Sequence, residues 1–146
     1  MTTTNNPEIQ IFQLNGVKHI RSENVIDLIK KNEICIIDVR EEEEFKIEYI
    51  DYDNLFLHPM SVIMDRLKFI PKNIPLLIVS SDGVNSTKVA NLLNRQAYID
   101  VVNLDGGLNA WKIKGFKTVK NKDYNSKDLS QSCNKGTCGC SCESCG

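Results

Sequence analysis

Five of the six cysteines fall in the last fourteen residues, at Cys133, Cys138, Cys140, Cys142 and Cys145. No packed core uses thiols at that density. The residues between them are small or polar, so the backbone can fold closely around whatever the sulfurs hold. Four thiolates close a tetrahedral zinc site, and the Cys138/Cys140 and Cys142/Cys145 pairs are short enough to chelate. Close Cys-x-Cys repeats suit Cu(I) or an iron–sulfur cluster equally well. The spacing Cys-x4-Cys-x-Cys-x-Cys-x2-Cys matches neither the separated knuckles of zinc fingers nor the regular run of bacterial ferredoxins. The metal therefore stays open between Zn, Cu(I) and Fe–S, and a four-coordinate ion would leave one thiol spare. The same thiols are also candidate persulfide carriers. Cys35 is different in kind: it sits inside the apolar run Ile34–Ile37, where a free cysteine acts as a small hydrophobe.

Composition bounds what these thiols can be for. The chain has 146 residues, a net charge of -1 and mixed signs along its length, which argues against a nucleic-acid partner. Residues 1–7 are Thr- and Asn-rich, with neither the basic cluster nor the apolar run of a signal peptide. No apolar stretch approaches the roughly 18 residues of a membrane span. A cytoplasmic protein is expected, with no membrane partner and with a protein partner in sulfur or metal trafficking. In that reducing compartment clustered cysteines read as ligands or redox groups before they read as disulfides.

The elements that position any site follow from the apolar pattern. Residues 1–8 read as a flexible arm, 9–117 as one α/β domain, 118–132 as a linker and 133–146 as the cysteine-rich tail, disordered or ordered by metal. Strands are expected at 17–20, 34–37, 54–57, 76–79 and 101–103. The runs Ile34–Ile37 and Leu76–Val79 are apolar throughout, as in a parallel sheet buried on both faces. A helix follows Ser22 as its N-cap, with Val25, Ile26, Leu28 and Ile29 on one face. Further helices are expected at 61–69, after Ser86 with Val89, Ala90, Leu92 and Leu93 inward, and over 108–114, anchored by Trp111. Glu41–Glu44 read as a solvated helix start.

Two segments carry a resemblance. Ile37-Asp38-Val39-Arg40, followed by acidic residues and Phe45, resembles the first signature of rhodanese-like domains. Val102-Asn-Leu-Asp-Gly-Gly-Leu-Asn-Ala-Trp111 resembles the closing one, and both stand in the right order across residues 17–118. The resemblance implies a three-layer α/β fold with a mainly parallel central sheet and helices on both faces. It implies that Asp38–Arg40 is structural, its charged ends pinning neighbouring loops. The family's Gly-His-Ile-Pro-Gly-Ala segment has no counterpart in Glu48–Asp53.

The resemblance is most specific at the loop after the central strand. Rhodaneses carry Cys-x-x-Gly-x-Arg-Ser there, with backbone N–H groups and a helix N-terminus facing the cysteine sulfur. Here the frame reads Ser80-Ser81-Asp82-Gly83-Val84-Asn85-Ser86. Glycine and the final serine are kept, so the loop is expected to make its turn and cap its helix. Serine stands at the cysteine position and asparagine at the arginine position. A hydroxyl cannot form a persulfide, and activating it as a nucleophile needs an adjacent base. The only histidines are His19 and His58, and His58 reads as a turn residue. Asp82 adds negative charge where anions would otherwise be drawn. Two readings follow: a non-catalytic rhodanese-like module whose tail binds a thiophilic metal, or a sulfur carrier or sulfurtransferase whose tail cysteine holds the persulfide.

Overall fold

The computed structural model describes residues 2–121. The five tail cysteines lie outside the described residues. Five strands form one parallel sheet: β1 (Lys18–Ile20), β2 (Cys35–Asp38), β4 (Leu55–Leu57), β5 (Leu76–Val79) and β6 (Val101–Leu104), in the order β1-β6-β5-β2-β4. A second, two-stranded antiparallel sheet pairs β3 (Glu48–Ile50) with β7 (Thr118–Lys120). The helices are α1 (Ser22–Lys30), α2 (Glu42–Phe45), α3 (Val84–Arg95) and α4 (Gly107–Ile113), and Met60–Phe69 winds as successive 3-10 turns.

Strict alternation along the central strands builds two cores. Cys35 and Ile37 of β2 and Leu76 and Ile78 of β5 pack with Val89, Ala90 and Leu93 of α3 and with Ile63 of the 3-10 segment. Ile36, Leu77 and Val79 point the opposite way, onto Val25 of α1 and Leu108 and Trp111 of α4. Helices cover both faces, so every residue of β2, β5 and β6 is buried, and the sequence there is apolar except for Asp38 at the end of β2 and Asn103 in β6. Trp111 is buried and donates its indole N–H to the Lys117 carbonyl, which anchors α4.

Three expectations are corrected. The arm 1–8 is tied to the domain: Thr4 and His19 exchange backbone hydrogen bonds, and Glu8 donates its N–H to the Asp105 carboxylate at 2.7 Å. The domain also runs past Lys117, because β7 occupies the start of the expected linker. Thr118 and Val119 are β-branched and find in β3 an edge that no local pattern announces. Finally, neither serine caps a helix as expected. Arg21 is the extended residue before α1, and Ser22 is fully buried inside the first turn. Gly83, at φ +93°, precedes α3, and the Asp82 carboxylate takes the Val84 N–H at 3.0 Å. The loop thus meets one free amide at the start of α3 through Asp82 and not through Ser86.

Candidate functional site

All five parallel strands end on one edge of the sheet, and the loop 80–86 leaves β5 there. That edge is where ligands bind in open α/β sheets, because the strand ends and helix N-termini converge on it. Ser80 is 3 % exposed. Its Oγ accepts the N–H of Gly83 at 3.1 Å and of Ser86 at 3.2 Å, and it stands 2.9 Å from the Ser86 hydroxyl. Ser86 donates to the Asn103 carbonyl oxygen, so the Ser80 proton goes to Ser86. The loop thus closes its N–H cradle on its own hydroxyl, which has two donors on its lone pairs and its proton committed. Asn85, at the rim, is exposed.

The backbone packs tightly behind this cradle. The N–H groups of Leu108 and Asn109 bond to the carbonyls of Ser80 and Ser81 at 2.8 and 2.9 Å. A Cβ at Gly107 would stand 2.5–2.7 Å from the Ser80 and Ser81 carbonyls and the Gly83 nitrogen, and Gly107 has φ +64°. Only glycine fits there, which explains the second glycine of the Leu104–Gly107 turn.

Among the described residues no base faces Ser80. His19 is three hydrogen bonds away, through Ser86 and Asn103, and the Asn103 amide does not pass a proton. Burial lowers the pKa of His19, with the Asp105 charge opposing, so the ring stays neutral near pH 7. His58, expected in a turn, is buried at the end of β4 and bonds through its backbone N–H to the Asp38 carbonyl. Burial and the Arg66 charge lower its pKa. Cys35 is buried in β2 and its thiol is pushed up to about 11, which suits filler rather than a nucleophile.

Asp38 and Arg40 form a buried ion pair at 2.8 Å, and Arg40 also donates to the Glu48 carbonyl at 2.7 Å. The pair joins the end of β2 to β3, so Arg40 pins a neighbouring element as the signature implied. The Glu44 carboxylate stands 3.5 Å from the Ser81 hydroxyl. Among the described residues no three His, Cys, Asp or Glu side chains converge as a metal-ligand group. No helix among them is long and apolar enough to cross a membrane.

Three residues that hold the loop escape a reading of the sequence. Gln10 donates to the Gly83 carbonyl at 3.2 Å and to the Thr87 hydroxyl at 2.9 Å. Asn103 looks like one polar residue at the end of a strand, and Asp105 like part of a turn. Nothing local marks Gln10, which lies between Ile9 and Ile11 and more than seventy positions before its partners.

The rhodanese-like domain model matches residues 22–114, from the start of α1 to the end of α4. The chain is 30 % identical over 97 residues to the thiosulfate sulfurtransferase GlpE of Coxiella burnetii, covering 66 % of this chain and 89 % of that protein. It is 33 % identical over 104 residues to a sulfurtransferase of Allochromatium vinosum, covering 70 % and 95 %. Among solved structures, a rhodanese-like domain protein from Staphylococcus aureus superposes with a TM-score of 0.61 at 35 % identity, over 70 % of this chain and 98 % of that one. The parallel sheet, the loop on its C-terminal edge and these matches agree, and the chain belongs to the rhodanese-like domain family.

Proposed function

We propose that this chain is a rhodanese-like module that does not carry sulfur on its own loop, and whose cysteine cluster binds a thiophilic metal. Ser80 stands at the family's cysteine position, and one observation carries the reading: its buried Oγ is filled by two backbone N–H groups and Ser86, with no base beside it among the described residues. A hydroxyl so held neither attacks a sulfur donor nor binds a sulfane sulfur. The chemistry then falls to Cys133, Cys138, Cys140, Cys142 and Cys145, a donor set suited to Zn, Cu(I) or an iron–sulfur cluster.

A second reading has its own support. The relatives in Coxiella burnetii and Allochromatium vinosum are named sulfurtransferases, and the described chain ends close to the loop. The Asn121 N–H bonds to the Ile47 carbonyl, three residues from Glu44, which meets Ser81. Cys133 stands twelve positions after Asn121, and a flexible chain of that length spans about 19 Å. A tail cysteine carrying a persulfide fits within that reach.

Native mass spectrometry of the full chain purified without oxygen, beside a variant with all five tail cysteines changed to serine, separates the two. Added mass that is lost in acid, has a metal isotope pattern and is missing from the variant supports the metal site. The same metal mass on the variant overturns it. Steps of roughly 32 Da that survive acid and vanish with a thiol reductant establish the sulfur carrier instead.

A further inference from the structure

The hydrogen bonds around the loop have one consistent direction, and Gln10 sets it. The Gly106 N–H must donate, so the Gln10 side-chain atom 3.0 Å from it is the carbonyl oxygen. The Gln10 amide nitrogen then faces acceptors, the carbonyls of Gly83 and Phe12 and the Thr87 hydroxyl. Because Gln10 Oε1 is an acceptor, the Asn103 group 2.9 Å away is its NH2. Asn103 Oδ1 consequently faces Ser86, which passes its proton there and takes that of Ser80. Asn103 Nδ2 also lies 3.0 Å from His19 Nδ1, which must accept, so the neutral ring carries its proton on Nε2.

Gln10 therefore reaches residue 80 by two routes. One runs through the Gly83 carbonyl, which also accepts the Thr87 N–H and hydroxyl and so holds Gly83, whose own N–H, on the preceding peptide, meets Ser80. The other runs through Asn103 and Ser86. The segment is itself held firmly: the Asp105 carboxylate, 1 % exposed, accepts the N–H groups of Glu8, Ile9 and Gln10. A Cβ at Gly83 would run into the Gln10 amide, so glycine there serves this contact as well as the turn. Gln10 lies outside the matched family segment 22–114.

We propose that Gln10 is the positioning residue of the 80–86 loop, closing the N–H cradle around residue 80 from two sides. The inference is independent of what the tail cysteines hold. Gln10→Glu keeps the acceptor for Asn103 and Gly106 and loses the donor to Gly83, Thr87 and Phe12; Gln10→Ala loses both. In the full chain, amide exchange at Gly83 rises about tenfold in both variants, while Ser86 exchange and the His19 tautomer, read from imidazole nitrogen shifts, change only in Gln10→Ala. Slow amides of β2 and β5 are the control for folding, and Gln10→Glu alone decides the matter if Gln10→Ala unfolds. Gly83 exchange within twofold of the parent in a folded variant overturns the proposal. A chemical readout goes beyond structure. The thiol introduced by Ser80→Cys is alkylated with a pH profile read by peptide mass spectrometry, and adding Gln10→Ala, which brings no new charge, moves that profile to higher pH because a thiolate loses a fixed donor. An unchanged profile overturns the proposal equally.

Discussion

A buried charge shows how much one side chain can hold. Asp38 and Arg40 have side chains 1 % and 6 % exposed, and Arg40 ties β2 to β3 through the Glu48 carbonyl. Arg40→Met leaves Asp38 buried and without its cation, and should cost about 3–5 kcal/mol of unfolding free energy. Urea denaturation checks this, and a loss below about 1 kcal/mol would mean that water reaches Asp38. The pair was legible in the sequence because Asp-Val-Arg follows an apolar strand. Ser80 was legible too, as a position, but the filling of its lone pairs was not. That depends on Ser86 turning inward to Asn103, a partner seventeen residues further on. At Ser86 the helix-cap expectation failed for the same reason, its hydroxyl being taken by tertiary partners, whereas the buried Ser22 hydroxyl meets no polar group among the described residues.

At the level of elements, the central strands were readable because burial on both faces leaves four apolar residues in a row. The small sheet was not. β3 and β7 are three residues each, mixed in polarity, and form only against one another. Thr118 and Lys112 both reach the Glu48 carboxylate, so β7 closes a polar cluster as well as a ladder. A chain ending at residue 117 should unfold at lower temperature than one ending at 121, with a loss of about 1–3 kcal/mol. Equal melting temperatures for the two would show that β7 adds nothing to the domain.

The whole molecule responds to pH through groups that burial keeps neutral. His19 and His58 have folded pKa values below their ordinary 6.5, while the unfolded chain takes up protons freely at that pH. Stability is therefore full above about 6.5 and falls as pH drops through the lowered folded values. Cys35 works in the other direction. Its thiol is raised from 9.0 to about 11, so the unfolded chain ionises first and stability falls as pH rises across that window. Urea midpoints at pH 5.5, 7.5 and 10 should trace a dome, and His58→Gln should flatten its acid side. A midpoint that does not move between pH 7.5 and 5.5 would refute the acid limb. The alternation of apolar runs made the α/β architecture legible; the N-terminal attachment was not, since Thr and Asn residues carry no periodic signal.

The bond from Glu8 to Asp105 spans 97 positions and that from Gln10 to Gly106 spans 96. On a ribosome residues 8–10 are made well before their anchors at Asp105 and Gly106. Until the turn at 105–107 emerges, Gln10 has no acceptor-seeking partner at Gly106 and Gly107 has not yet packed behind the loop. The loop after β5 is thus among the last parts of the domain to acquire its shape, and a newborn chain holds Ser80 in place only once both ends of the domain have met.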